Sequence, residues 1–216
     1  MKLSLAYSSS ASDKTHSSAN SKAKRLIDIL GALVGLSVTA LLFIPIAIAI
    51  QLDSSGSIFY SQMRCGLGGQ PFRIWKFRSM VMNADQLKYL VQNQAKGCIF
   101  KNQNDSRQTR VGRFLRRTSL DEFPQFWNVL KGEMSLVGTR PPTLDEVEQY
   151  HPHHRLRLCV KPGLTGEWQA CGRSDIHDFE DIVDLDIRYQ QRWSVHYDIF
   201  LIFKTLWVVL GSKGAC

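Results

Sequence analysis

No charged residue interrupts the chain between Ile29 and Ile50. A run of that length can cross a bilayer as a helix, for which about 20 apolar residues suffice. Two details argue against a plain crossing. Pro45 lies inside the run, preceded by Ile44; proline has no amide hydrogen to donate and bends a helix. The flanks are basic on both sides, with Lys22, Lys24 and Arg25 before the run and Arg64, Arg73, Lys76 and Arg78 after it. A spanning helix normally leaves its basic flank on the cytoplasmic side alone. Symmetric flanks predict that both ends stay cytoplasmic, with an element over 22–52 that enters the bilayer, breaks near Pro45 and returns. Backbone groups freed at such a break need cover from protein or water. The simpler alternative is one straight span.

Either way the run divides the chain. Residues 1–21 are rich in Ser, Ala, Lys and Asn, show no apolar periodicity and read as a disordered tail. The apolar run begins too late for a signal peptide. Residues 53–216 suffice for one domain. The formal net charge of +8 favours an anionic partner: a phosphorylated substrate, acidic lipid headgroups or nucleic acid. Five cysteines form no Cys-x-x-Cys pair, which argues against a zinc site or disulfide framework and fits a reducing cytoplasm.

Within the domain, Ile58-Phe59-Tyr60 reads as a short strand, and Gly66, Gly68 and Gly69 mark a turn. Residues 72–78 alternate apolar and basic, predicting a strand with a cationic face. Residues 81–108 read as a helix followed by a polar, mobile loop. Val111, Phe114 and Leu115 share one helical face; Arg110, Arg113 and Arg117 take another, with Arg116 beside it. A second helical run extends through Leu130 and ends at Gly132. Prolines and glycines over 138–173 predict rigid turns. Trp193, Tyr197, Phe200, Phe203 and Trp207, broken by Asp198 and Lys204, suit a helix at headgroup level; a buried core helix is the alternative. The fold class is therefore α+β: an N-terminal re-entrant membrane helix-break-helix, then a mostly helical domain with short strands and interfacial amphipathic helices.

Asp121 and Glu122 are adjacent carboxylates between two of these helical runs. The bland explanation is a capping box, Ser119-x-x-Glu122, since acidic groups favour helix starts. Context points further. Several arginines lie just upstream, and Arg140 sits downstream in a proline turn. Guanidinium groups grip phosphate oxygens in bidentate fashion, and a helix N-terminus attracts them too. A carboxylate in such company can attack phosphorus. Its neighbour can hold Mg²⁺, which prefers carboxylates together with substrate phosphates and offsets the repulsion between anions. No Walker loop or Gly-x-Gly-x-x-Gly sequence is present.

With these motifs in view, the sequence resembles the bacterial polyprenyl-phosphate hexose-1-phosphate transferases, or monotopic phosphoglycosyl transferases. The resemblance runs from about Lys24 to Ala215. It is carried by residues 24–28 (KRLID), 62–66 (QMRCG), 76–80 (KFRSM), 119–125 (SLDEFPQ), 128–135 (NVLKGEMS), Arg140-Pro141 and 161–166 (KPGLTG). It implies that Asp121 attacks the β-phosphorus of a UDP-sugar, releasing UMP. Undecaprenyl phosphate then takes the sugar phosphate, and downstream glycosyltransferases extend the product into a surface polysaccharide. It implies Glu122, with Asp121, as the Mg²⁺ site, and Arg116 and Arg140 near the bound phosphate. Lys76, Arg78, Gln125, Asn128 and Arg173 complete the expected substrate-binding set. The implied place is the cytoplasmic face of the bacterial inner membrane, among membrane lipids. Two positions depart from the family pattern. Thr139 and Pro142 alter the usual Gly-Pro-Arg-Pro turn, with room for different peptide isomers, and Glu167 stands where an apolar residue is common. Larger members carry further N-terminal membrane helices and a nucleotide-fold domain, so the chain resembles a minimal version. The competing expectation is a membrane-anchored basic protein that grips nucleic acid or acidic lipid; no nucleic-acid motif supports it. An inactive scaffold is the third, and the intact Asp121-Glu122 pair argues against it.

Overall fold

The computed structural model describes residues 15–172 and 176–211. Part of the expected tail is ordered. The His16 amide donates to the Cys159 carbonyl at 3.0 Å, and a one-turn helix, α1 (Ser17–Asn20), buries Ser18. Those tertiary ties give a polar segment a fixed place that its composition alone does not announce. Residues 1–14 of that call lie outside the described residues.

Ser21 then caps α2 (Lys22–Asp53) by accepting the Lys24 amide. The predicted break is absent: α2 runs unbroken through Pro45. Proline removes one donor, towards Leu41, while the turns on either side keep their own hydrogen bonds. The helix is long and apolar enough to cross a membrane, and only 22 % of its most apolar window is buried. A core helix would be mostly covered, whereas this one leaves its apolar surface exposed, as a membrane anchor does. Val34, Leu41, Ile44, Ile48 and Leu52 are all exposed.

Both ends of α2 are fastened to the rest of the protein. Near the start, Asp28 Oδ1 accepts from the Leu136 amide (2.8 Å) and the Ser135 hydroxyl (2.9 Å). Arg25 donates to the Val129 and Leu130 carbonyls at 2.7 and 2.6 Å. Gly35 lets the Phe126 ring approach so closely that a Cβ would lie 2.4 Å from it. Near the finish, Ile46 and Ile50 pack with Phe77 and Leu115, and Asp53 Oδ2 accepts from the Val111 amide at 2.8 Å.

The chain continues into an antiparallel hairpin of β1 (Phe59–Cys65) and β2 (Pro71–Phe77), pairing Phe59 with Phe77 and Cys65 with Pro71. Phe72 and Ile74 point inward, as the period of two predicts. The helix expected after residue 81 is not there. The stretch folds as turns with one short 3-10 helix (Lys88–Leu90). Asn83 and Gly97 take positive φ. Asn93 accepts from the Ala95 and Lys101 amides and donates to the Ile99 carbonyl. Side-chain bonds of this kind offer the backbone an alternative to a helix.

Next come α3 (Arg110–Arg117), a 3-10 helix over Leu120–Gln125, and α4 (Phe126–Lys131), which Gly132 ends at φ 86°. The strand β3 (Ser135–Val137) is followed by α5 (Leu144–Glu148), a 3-10 helix (His154–Cys159), and β4 (Gly163–Thr165), which pairs with β3 in parallel. Helices α6 (Glu167–Gly172), α7 (Phe179–Arg192) and α8 (Val195–Leu210) complete the described chain. All described peptide bonds are trans. The main core joins Ala32, Ile74, Val129, Met134, Val137, Tyr189 and Leu201, so the start of α2, the hairpin and α8 share one apolar centre. α8 buries Leu201 and Asp198 and exposes Phe200, Phe203 and Trp207. Glu167, expected to be apolar from the resemblance, is buried with an Arg188 nitrogen 3.8 Å away.

Candidate active site

Ser119 lies in the left-handed region at φ 57° and makes no side-chain cap bond. The capping box that the sequence suggests at Ser119-x-x-Glu122 therefore does not form; that motif is realised at Thr143 and Glu146 instead. Glu122 uses its carboxylate elsewhere, accepting from Lys76 Nζ at 2.7 Å. Asp121 is 4 % exposed yet belongs to the lining of a cavity of about 580 Å³. That volume falls within the range of about 300–1,000 Å³ typical of small-molecule sites.

Four pieces of chain converge on it. The hairpin brings Tyr60, Arg64 and Lys76; the Leu120–Gln125 turn brings Asp121 and Glu122; α3 brings Arg116; the turn after β3 brings Arg140. The loop over 82–107 closes the far side with Lys88, Phe100 and Arg107. Arg116 is aimed by a bond from its Nε to Ser79 Oγ at 2.9 Å. That geometry rests on Gly112: a Cβ there would stand 1.9 Å from the Ser79 carbonyl oxygen. Arg140 lies 3.5 Å from Glu146 Oε1 and over the Trp168 ring at 5.9 Å.

The electrostatics match a polyanion site. Burial, and then the neighbouring Arg140, push the Arg64 guanidinium down to about 10, which leaves it charged at neutral pH. Burial works to raise the Glu146 carboxyl, but Arg140, the Thr143 amide and Arg64 outweigh it and hold it below its ordinary value. Tyr60 is pushed up to about 12 by burial and by Asp85. Its hydroxyl donates to both Asp85 oxygens at 3.2 Å.

The cavity brings together six of the expected residues: Asp121, Glu122, Lys76, Arg78, Arg116 and Arg140. Arg78 is also committed to the turn just after α2, donating to the Ser54 and Ser55 carbonyls. Gln125 lines a smaller adjoining cavity. Asn128 is fully buried and donates to the Arg73 carbonyl (2.7 Å) and Glu133 (2.6 Å), which ties α4 to β2 and lines neither cavity. Arg173 lies outside the described residues. The sequence reading missed Tyr60, Glu146, Trp168 and the 82–107 wall. The Thr143-x-x-Glu146 spacing was a visible signal for Glu146; the others reach the cavity only through tertiary placement.

The donor set suits Mg²⁺. Asp121 and Glu122 offer hard carboxylate oxygens on one wall, the type this ion takes along with substrate phosphates. A second acidic and imidazole group, His153, His154 and Glu180, is less suitable. His154 Nδ1 accepts the His151 amide at 3.1 Å. Its proton is thereby left on Nε2, which faces Glu180 at 2.8 Å as a donor rather than as a ligand.

The site thus sets paired carboxylates among guanidiniums in a mixed helix-and-sheet fold that carries one long, exposed apolar helix. The chain belongs to the bacterial sugar transferase family, whose model matches residues 19–212. It is 51 % identical over 195 residues to "Galactosyl transferase CpsE" of Streptococcus agalactiae, covering 89 % of this chain and 43 % of that protein. It is 43 % identical over 198 residues to the "Undecaprenyl-phosphate galactose phosphotransferase" of Salmonella typhimurium, covering 89 % and 41 %. It is 40 % identical over 199 residues to the "Exopolysaccharide production protein ExoY" of Rhizobium meliloti, covering 89 % and 88 %. The chain thus spans about two fifths of the first two relatives and most of the third.

Proposed function

We propose that this chain transfers a hexose-1-phosphate from a UDP-sugar to undecaprenyl phosphate at the cytoplasmic face of the inner membrane, initiating assembly of a surface polysaccharide. The observation that carries this is the Asp121–Glu122 pair on one wall of a cavity shared with Lys76, Arg116 and Arg140. A helix-capping role does not account for the pair, because Ser119 forms no cap.

In the proposed reaction, an Asp121 carboxylate oxygen attacks the β-phosphorus and the bond between that phosphorus and the bridging oxygen breaks. UMP leaves with the bridging oxygen, and the sugar phosphate stays on Asp121 as an acyl phosphate. An oxygen of undecaprenyl phosphate then attacks the same phosphorus and frees Asp121. Lys76, Arg116 and Arg140 hold the diphosphate and offset charge as it shifts to the leaving oxygen. Glu122 would hold Mg²⁺ with the substrate phosphates; the ion supplies charge neutralisation. A water-soluble donor and a lipid acceptor meet only at the bilayer surface. The exposed apolar flanks of α2 and α8 are suited to hold the cavity there.

We infer that both ends of α2 stay on one side of the membrane although the helix itself does not turn back. Lys24–Asp28 and Asp53 bond to the same folded domain, which favours both ends of α2 lying on one side of the membrane. Purified protein in nanodiscs should release UMP from a UDP-hexose only with undecaprenyl phosphate or in a single enzyme-bound turnover. Asp121→Asn should abolish the phosphosugar adduct detected by intact-mass spectrometry. Wild-type adduct levels on that variant would refute the assignment. A tag at residue 10 should be labelled only from the cytoplasmic side; labelling there from the periplasm would mean a true span.

A further inference from the structure

Beside the main cavity lies a smaller one of about 50 Å³. The two share Arg64, Lys76, Glu122, Arg140 and Trp168, and the smaller adds Gln169. Three of these residues carry buried polar atoms with no hydrogen-bond partner among the described residues: Arg64 Nε, Trp168 Nε1 and Gln169 Oε1. Leaving such an atom unpaired costs about 1–3 kcal/mol, and native folds keep few of them. Three such atoms on residues that line one small cavity next to Glu122 are a concentration that packing does not explain. Their positions are firmly set. Arg64 also donates to the Pro141 carbonyl at 3.0 Å, and the Trp168 ring lies under Arg140. Gly166 brings the start of α6 so close to Gly138 that a Cβ would stand 2.1 Å from the Gly138 carbonyl oxygen.

We propose that this corner is the sugar-reading subsite of the enzyme, with Trp168, Gln169 and Arg64 hydrogen-bonding a hexose hydroxyl of the donor; the assignment rests on the transferase function proposed above. The chemistry selects the ligand. Two of the groups are N–H donors and one is a carbonyl acceptor. A phosphate oxygen only accepts, so the Gln169 oxygen would repel it. A hydroxyl both donates and accepts, and meets all three. The volume admits a hydroxyl or two, not a ring, so the ring stays in the main cavity while its edge is read here. Sharing Lys76, Glu122 and Arg140 places this corner directly beside the groups assigned to the sugar-bearing phosphate. The nucleoside then extends the other way, towards Phe100 and the 82–107 loop.

The test measures kcat/KM for UMP release from the preferred UDP-hexose and from the analogues deoxygenated singly at each hydroxyl, in wild type, Trp168→Phe and Gln169→Leu. A site that hydrogen-bonds a hydroxyl discriminates strongly against its absence. One deoxy position should cost wild type about tenfold or more, and that penalty should fall to about twofold in at least one variant. Equal tolerance of every deoxy donor by wild type would overturn the subsite, as would a penalty that persists unchanged in both variants. Failure of wild type to turn over any UDP-hexose would instead overturn the transferase function itself. Circular dichroism confirms that each variant is folded before its ratio is read; if one is not, the other decides.

Discussion

Two lysine–carboxylate pairs of nearly equal length sit in opposite surroundings in this protein. Lys24 meets Asp198 at 2.6 Å, with side-chain exposures of 6 % and 3 %. Lys76 meets Glu122 at 2.7 Å, with exposures of 24 % and 21 %. The first is sealed and saturated. Lys24 also donates to the Val137 carbonyl and lies 3.3 Å from the Tyr189 hydroxyl, while Asp198 accepts from Tyr189 and Trp193. The second opens on a cavity with more cations nearby. Distance alone does not distinguish a brace from a working group; the difference lies in whether the surroundings leave anything for a newcomer to do.

The contrast can be broken experimentally. Lys24→Met strands a buried Asp198 carboxylate and should lower stability by about 3–5 kcal/mol, read by denaturant unfolding in detergent. Adding Asp198→Leu should recover much of that loss. A loss under about 1 kcal/mol would mean that the sealed pair is not a brace. Lys76→Met should do the reverse: stability within about 1 kcal/mol of wild type, but kcat/KM for UMP release down about a hundredfold. Equal losses of stability in both variants would erase the distinction. Glu122→Gln should shift the Mg²⁺ dependence to higher concentration, tracked by titrating turnover; an unchanged titration would count against its ligand role. The smallest effect concerns acid. Glu146 is held below its ordinary value of 4.5 by the folded state, so the unfolded chain takes up the proton first. Its contribution is full above about pH 4.5 and lost as pH falls through the lower folded value. Glu146→Gln should flatten the stability profile below that point, measured by unfolding midpoints.

Much of this arrangement was legible in the residues. The apolar run, the alternating strand at 72–77, the arginine-bearing helix 110–117 and the Gly132 stop all have local causes, and local causes are written in short windows. The acidic pair was visible, but Ser119 looked like a cap because sequence does not reveal a positive φ. Residues 81–108 read as a helix followed by a loop, yet the helix gives way to turns in which Asn93 bonds to nearby backbone amides. Asn128 looked like a site residue, yet its partners are Arg73 and Glu133, brought to it by tertiary folding. Pro45 suggested a fracture that the neighbouring helical turns absorb. Trp168 and Arg64 gain their meaning only when the turn after β3 and the start of α6 are laid side by side.

Gly112 carries a consequence for how far this scaffold can drift. The carbonyl of Ser79 occupies the spot that any side chain at 112 would need, and the hydroxyl of that same serine steers Arg116. One missing methyl therefore works as a spacer gauge between α3 and the end of the hairpin. Alanine at 112 would push α3 away from the hairpin and carry the Arg116 guanidinium with it without touching a charged group, so a buried backbone contact with no polar side chain of its own tolerates no added carbon.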